Sequence, residues 1–178
     1  MSMAEYTIRE ARPEDLALLP AVELAAAALF ADHISELGIG IGILESVKSV
    51  EDLREAQGSG CVFVAVDVND KPVGFAVAVE LDGALHLDEI DVLPEHGRRG
   101  VGTALVEELC RWGKARGYTA VTLSTFRDIP WNGPFYASRG FVVVARSKCS
   151  PGLAALVASE RERGLPTDLR VVMRRSLV

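Results

Sequence analysis

A glycine-rich basic turn at residues 94–103 is the segment of this sequence best suited to bind a phosphate. It follows a strand-like run that stops at a proline, and an amphipathic helix pattern begins directly after it. The first amides of a helix lack partners and carry partial positive charge, so they bind anions. Arg98 and Arg99 add charge there. Gly100 and Gly102 lack a Cβ, so a bulky pyrophosphate can approach the backbone closely.

The turn does not match two other phosphate-binding patterns. A dinucleotide-binding fingerprint needs GxGxxG after a parallel strand, but Gly100-Val101-Gly102 is followed by Thr103-Ala104-Leu105. The complete P-loop pattern GxxxxGK[ST] does not occur in the sequence. A glycine-rich helix entry with solvated arginines and no ligand stays open at this point.

The elements that must position this turn follow from apolar periodicity. Alternating patterns and turn residues predict seven strands, at residues 6–12, 61–68, 73–81, 84–93, 118–125, 140–146 and 169–174. Helical patterns and start signals predict helices at 13–31, 49–57, 101–117, 130–139 and 151–163. The glycine-punctuated residues 32–45 are predicted as loop. Three antiparallel strands followed by a strand–helix–strand unit predict one mixed α/β domain over residues 1–178.

The turn closely resembles the acyl-CoA-binding motif of the GNAT superfamily of N-acetyltransferases, (Gln/Arg)-x-x-Gly-x-(Gly/Ala). Here the motif is Gly97-Arg98-Arg99-Gly100-Val101-Gly102, with glycine where the family usually has Gln or Arg. The resemblance implies acetyl-CoA as cosubstrate, with its pyrophosphate on the main chain of Arg98, Arg99, Gly100, Val101, Gly102 and Thr103. It also implies that the main chain of Ile90, Asp91 and Val92 pairs with the pantetheine arm.

A second resemblance lies at residues 130–141, where many GNAT enzymes carry Asn, a helical turn with Tyr, and Gly-Phe. Asn132, Tyr136, Gly140 and Phe141 follow that order here. The family pattern implies that Asn132 contacts the cofactor and that Tyr136 protonates the leaving thiol. A helix cap at Asn132 and a core tyrosine at Tyr136 are the alternatives from the residues alone.

Three carboxylates on the strand at residues 84–93 are candidates for the general base. An amine of lysine type has a pKa of about 10.4, so it arrives protonated and must lose a proton before attack. Strand alternation places Glu89 and Asp91 on one face and Asp88 on the other, unless a bulge shifts the phase. The family draws its base from this strand, and we favour Glu89, with Asp88 second.

The resemblance implies a twisted, mostly antiparallel sheet of six to seven strands, flanked by helices and splayed at the acyl-CoA site. It also implies direct transfer of an acetyl group to a primary amine in a ternary complex, on a small molecule or a peptide. The acceptor would lie against residues 13–57 and 146–170, where Glu23, Asp32, His33 and Glu36 are polar candidates. A CoA-binding sensor without turnover is the alternative function.

Composition excludes several other classes. The net charge of −6, with few basic pairs, argues against nucleic-acid binding. Three widely spaced cysteines and three scattered histidines predict neither a disulfide framework nor a metal site. The N-terminus lacks a signal-peptide pattern, and the longest apolar run, Leu24–Ala31, is too short to span a bilayer. We therefore expect a cytoplasmic protein without a membrane partner, and leave a homodimer open.

Overall fold

A sheet of seven strands runs through the molecule, and the structure, a computed structural model, describes residues 5–178. The strands are β1 (Thr7–Glu10), β2 (Gly60–Val66), β3 (Pro72–Leu81), β4 (Ala84–Val92), β5 (Ala120–Phe126), β6 (Val142–Val144) and β7 (Arg170–Ser176). Their order across the sheet is β1-β2-β3-β4-β5-β7-β6. The seven predicted strands are confirmed, although β5 begins at Ala120 rather than Tyr118 and β6 is shorter than predicted.

The sheet separates into two parts between β4 and β5, which are the parallel pair among the described strands. Their pairing is short and joins only Leu85–Leu87 to Val121–Leu123. β4 continues to Val92 and β5 to Phe126 without further pairing between them. Backbone N–H and C=O groups therefore face a gap from both sides, where they need other partners. The mostly antiparallel, splayed sheet predicted from the sequence is confirmed.

Helices cover both faces of the sheet. In the described part of the chain they are α1 (Leu19–Ala27), α2 (Ile34–Leu37), α3 (Ile41–Glu45), α4 (Val50–Ser59), α5 (Val101–Ala115), α6 (Gly133–Ala137) and α7 (Pro151–Glu162). The apolar stripe of α5, including Val101, Leu105 and Leu109, is buried against one face of the sheet. Residues of α1 and α4, including Leu19 and Leu53, pack on the opposite face. Helices packed on both faces therefore hold the sheet, including the gap between β4 and β5, in place.

The start of α4 agrees with the capping box predicted at Ser49. The N–H of Asp52 donates to Ser49 Oγ at 3.1 Å, and the N–H of Ser49 donates to Asp52 Oδ2 at 2.8 Å. Reciprocal bonds of this kind satisfy helix-terminal donors and fix the direction in which the chain enters the helix. They hold the preceding residue, Lys48, in place beside β4.

The prediction of a loop at residues 32–45 is wrong. A 3₁₀ segment at Ala28–His33 leads into α2, and α3 follows after a short connection. Gly38 ends α2 in the left-handed region with φ 61°, and Gly40 precedes α3 in an extended conformation. These glycines therefore act as helix boundaries and do not break up the whole segment. Leu37 and Ile39, on either side of Gly38, pack with Phe126 at the end of β5, which a local pattern does not reveal.

The helical run from Leu16 to Leu37 has 22 residues, and an 18-residue window in it has a mean hydropathy of 1.5, so by length and composition it is a candidate membrane span. A count of uninterrupted apolar residues does not detect this run, because Glu23 and other polar residues interrupt it. In this structure Leu16, Leu19 and Val22 are buried against the sheet. Length and composition are weak evidence for a span, since core helices share both properties.

Candidate active site

A cleft of about 1210 Å³ opens where β4 and β5 separate. Eleven of the thirteen predicted site residues line it: Asp88, Glu89, Ile90, Asp91, Val92, Arg98, Gly100, Gly102, Thr103, Asn132 and Tyr136. Arg99 and Val101 are not among the lining residues. Val101, the first residue of α5, is buried in the core. The Nη1 atom of Arg99 donates to the Tyr6 hydroxyl at 3.4 Å. Two motifs that are 30 residues apart in sequence thus border one space.

One end of the cleft is the N-terminus of α5. Gly100 is the N-cap residue and has φ 88°, a conformation that side-chain-bearing residues rarely adopt. The first helical bond of α5 runs from the N–H of Ala104 to the carbonyl of Gly100 at 2.9 Å. The amides of Val101, Gly102 and Thr103 therefore have no acceptor within the helix. This arrangement can hold a phosphate group by backbone contacts and by the helix dipole.

Arg139 is a further cation at this end, and the sequence analysis did not single it out. Its Nη2 and Nε donate to Thr103 Oγ1 at 2.8 and 3.2 Å, and its guanidinium lies 5.0 Å from the centroid of the Phe135 ring. The residue lines the same cleft. Its position three residues after Tyr136 and next to Gly140 was a signal that could have identified it. Arg139 is therefore a candidate phosphate contact from a different element.

A bulge in β4 determines where the carboxylates point. On β3, Val77 pairs with Glu89 whereas the next residue, Ala78, pairs with Leu87. Asp88 is therefore an extra residue with no partner in the ladder. The sequence analysis had allowed for such a shift but could not locate it.

The bulge reverses the phase of the strand. Leu87 before it and Ile90 after it both pack in the cluster under α5. Glu89 and Asp91 lie opposite Val77 and Phe75, which belong to the cluster on the side of α1. Without the extra residue, Glu89 would share a face with Leu87 and point into the core. The bulge thus turns this pair of carboxylates away from the core under α5 and towards the α1 side of the sheet.

Lys48 links three acidic groups around the bulge. Its Nζ forms an ion pair with Asp88 Oδ2 at 2.6 Å, and its backbone N–H donates to Glu23 Oε2 at 3.0 Å. The bulge is the exception that the expected alternation allowed for, and Lys48 acts electrostatically on both Asp88 and Glu89. Lys48 is the only Lys or Arg in residues 13–53, and that isolation was a usable signal.

The electrostatic environment separates Glu89 from ordinary carboxylates. Burial raises its pKa to about 7, the charges of Glu23 and Asp88 act in the same direction, and Lys48 opposes them. Burial, followed by the charges of Glu89 and Glu23, raises the pKa of Asp91 well above its usual value. A group that titrates near neutral pH is suited to accept a proton and pass it on.

Tyr136 lines the same cleft as these carboxylates. Its side chain is 7% exposed, and its ring makes edge contacts with Phe135 and Phe141 at centroid distances of 5.1 and 5.7 Å. Burial, followed by the charges of Glu89 and Asp91, raises the pKa of Tyr136 above its usual value. The hydroxyl therefore keeps its proton at neutral pH and can donate it.

Asn132 connects β5 to α6 and so positions Tyr136. Its Oδ1 accepts a hydrogen bond from Thr125 Oγ1 at 2.6 Å, and its carbonyl accepts the N–H of Tyr136 at 3.0 Å. Its side chain does not cap α6, unlike the alternative that the residue type suggested. Asn132 and Tyr136 thus share the cleft wall, as their spacing of four predicted.

The far side of the cleft comes from the two regions expected to shape the acceptor site. Residues 13–57 contribute Glu23, Phe30, Ile39 and Lys48 among others, and residues 146–170 contribute Leu156, Glu160 and Arg170 among others. Of the four polar candidates in the first region, Glu23 lines the cleft. The lining residues do not include Asp32, His33 or Glu36, although the His33 ring lies 5.4 Å from that of Trp131.

The donor set fits an acyl-CoA and gives no support for a metal ion. The free amides of α5 suit a pyrophosphate, and the unpaired edges of β4 and β5 suit an extended amide-bearing arm. Within residues 5–178, no group of three or more His, Cys, Asp and Glu side chains is arranged to hold a metal ion.

Solved structures resemble this chain over nearly its whole length. The PaiA N-acetyltransferase of Thermoplasma acidophilum, in complex with coenzyme A, matches with a TM-score of 0.73 at 18% identity, covering 96% of this chain and 98% of that one. The ribosomal-protein-S18-alanine N-acetyltransferase of Escherichia coli matches with a TM-score of 0.64 at 19% identity, covering 97% and 94%. At these identities the likeness concerns the fold.

The family assignment rests on a match to the amino-acid sequence of the chain. The model of the Acetyltransferase (GNAT) family matches residues 32–141, which include the β4 carboxylates, the phosphate turn and the segment of Asn132 and Tyr136. This range covers more than half of the chain and contains both motifs that the sequence analysis singled out. The chain belongs to the GNAT family of acetyltransferases.

Proposed function

We propose that this enzyme transfers the acetyl group of acetyl-CoA directly to a primary amine in a ternary complex, with Glu89 as general base and Tyr136 as general acid. The acceptor is a small molecule or a peptide with a free amine. Acetyl-CoA, the donor used by this family, supplies an acetyl thioester. The observation that carries the proposal is that Glu89 and Tyr136 face one cleft whose end is the free N-terminus of α5.

The donor side of the proposal depends on backbone groups. The amides from Arg98 to Thr103 bind the pyrophosphate, with Arg139 as an additional cation. The main chain of Ile90–Val92, unpaired on the side of β5, binds the pantetheine arm as an added strand would. Asn132 holds α6 against β5 and keeps the wall of the arm in place. The missing Gln or Arg at Gly97 removes one side-chain contact and leaves these backbone contacts intact.

The acceptor side depends on two proton transfers. Glu89 takes a proton from the acceptor ammonium, because its pKa of about 7 leaves much of it ionised at neutral pH. Asp88 is the weaker candidate since its carboxylate is already paired with Lys48. Tyr136 gives its hydroxyl proton to the leaving sulfur, whose thiol has a pKa of about 8.5, and regains a proton from the attacking nitrogen, which loses its second proton as the amide forms. An amide of β4 near Val92 stabilises developing negative charge on the carbonyl oxygen.

The test is a panel of amines offered with acetyl-CoA and followed by thiol release, combined with calorimetric titration of acetyl-CoA. We expect acetyl-CoA to bind and at least one primary amine to accelerate thiol release above the rate with water alone. Failure to bind acetyl-CoA or CoA would refute the cofactor site. Binding without amine-dependent release across the panel would refute catalysis and support a sensor.

A further inference from the structure

The carboxylate of Asp91 is not explained by the chemistry proposed above. Its side chain lines the cleft on the same face as Glu89, while its Oδ2 atom is buried and has no hydrogen-bond partner within residues 5–178. Buried polar atoms in folded proteins are almost always paired, so an orphaned carboxylate oxygen at a cleft calls for a ligand group. The main-chain role in binding the pantetheine arm does not involve this oxygen.

The neighbouring carboxylates each have a donor, and this contrast singles out Asp91. Asp88 accepts from Lys48 Nζ at 2.6 Å, and Glu23 accepts from the Lys48 backbone N–H at 3.0 Å. Neither Glu89 oxygen is among the buried side-chain atoms without a partner in residues 5–178. Lys48 is the cation that acts on both Glu89 and Asp91, and its ammonium is already bound to Asp88. Residues 5–178 therefore supply no donor to Asp91 Oδ2.

Resting on the proposed function, we infer that Asp91 is a subsite for a second protonated nitrogen, so that the preferred acceptor is a diamine whose far ammonium binds Asp91 while its near nitrogen is acetylated beside Glu89. The surplus of carboxylates on this wall favours a dication over a monocation. A charge-assisted hydrogen bond would also satisfy the orphaned oxygen.

Strand geometry sets the length of the acceptor. Glu89 and Asp91 are two residues apart on one face of β4, and a strand rises by about 3.3 Å per residue, so their side chains lie about 7 Å apart. A saturated chain of four carbons separates its two terminal nitrogens by about 6 Å at ordinary bond lengths. The matched probe is therefore 1,4-diaminobutane, with 1-aminobutane as the monocation and 4-amino-1-butanol as its uncharged polar analogue.

The experiment compares kcat/KM for the three amines at fixed acetyl-CoA by thiol release. We expect the diamine to exceed both controls by about tenfold to a hundredfold, the size of a hydrogen bond to a charged group. Its two equivalent nitrogens alone account for a factor of about two. Equal acetylation of all three amines, apart from that factor, would overturn the inference and leave the proposed function standing. Absence of acetylation with every amine would instead refute the proposed function.

Substitutions test whether the preference for the diamine depends on Asp91. In Asp91→Asn, which keeps the shape of the side chain, the ratio of diamine to 1-aminobutane should fall towards two, while the exposed control Asp128→Asn keeps the wild-type ratio. Calorimetric titration of 1,4-diaminobutane into the CoA-bound protein gives a readout without turnover, and its affinity should fall at least about tenfold in Asp91→Asn. Retention of the preference in a folded Asp91→Asn protein would overturn the assignment to Asp91. The wild-type comparison decides the inference even if that variant does not fold.

Discussion

Lys48 and Asp88 form an ion pair with 2.6 Å between Nζ and Oδ2, and it connects the residue before the N-cap of α4 to the bulge of β4. The pair also affects the pKa values of Lys48 and Glu89. Burial works to lower the pKa of Lys48, but the adjacent carboxylates, Asp88 foremost, outweigh it, so the ammonium keeps its charge. That charge holds the pKa of Glu89 below the value that burial and its acidic neighbours would otherwise give.

Replacing this ammonium should therefore shift the pH dependence of the reaction. In Lys48→Met the pKa of Glu89 rises, because the cation that stabilises its ionised form is gone. The acid limb of the kcat/KM profile should move to higher pH by roughly one unit. Lys71→Met, in the exposed turn after β2, serves as control and should leave the limb in place. An unmoved or lowered limb in Lys48→Met would contradict the coupling.

Removal of the base should cost most of the activity. Wild-type kcat/KM should rise with pH through about 7, since Glu89 accepts a proton only when ionised. In Glu89→Gln we expect kcat to fall by about 10²–10⁴-fold and this limb to disappear. The exposed Glu55→Gln on α4 is the matched control. A normal rate in Glu89→Gln with an intact acid limb would transfer the role of base to Asp88 or to water.

Loss of the Tyr136 hydroxyl should affect turnover more than binding. Tyr136→Phe keeps the ring contacts with Phe135 and Phe141 but removes the proton donor. We expect kcat to fall by about 10²-fold while acetyl-CoA affinity, measured by calorimetry, changes little. Tyr118→Phe applies the same change at the surface and should be silent. An unchanged rate would remove Tyr136 from the proton transfer.

A carboxylate at the start of α5 should block the cofactor without unfolding the protein. Among the described residues, a Cβ at Gly102 would meet Phe135 and Val92, at ordinary contact distances of 3.7 and 3.9 Å. An acidic residue in a first helical turn is also favourable for the helix. Gly102→Glu should therefore keep its melting temperature but lose acetyl-CoA binding, whereas Gly102→Ala should retain binding. Wild-type affinity in Gly102→Glu would place the pyrophosphate elsewhere.

Much of this site was predictable because its signals are local. The Gly100 turn, the capping box at Ser49 and the stripe of α5 each depend on residues within one or two helical turns. A period-two or period-3.6 pattern reports them directly. The same holds for Asn132 and Tyr136, whose spacing of four places them on one side of a helical turn.

The remaining features depend on contacts between distant segments. The Lys48–Asp88 pair joins residues 40 positions apart, and the contact of Arg139 with Thr103 joins residues 36 apart. Neither contact produces a periodic pattern in the sequence. The bulge at Asp88 is one extra residue in a register, visible only once β3 is paired with β4. Which residues line the cleft was therefore largely predictable, whereas the contacts that couple them electrostatically were not.

The short pairing between β4 and β5 leaves a gap, and a cofactor bound in that gap would also shift the folding equilibrium towards the folded chain. A ligand that occupies the gap binds the folded chain and has no comparable site on the unfolded one. At a free concentration one hundred times its dissociation constant, it would add about 2.7 kcal/mol to the free energy of unfolding. In a cell, the abundance of the intact enzyme would then follow the concentration of its donor. Periods of low acetyl-CoA would reduce both the rate of the reaction and the lifetime of the protein that catalyses it.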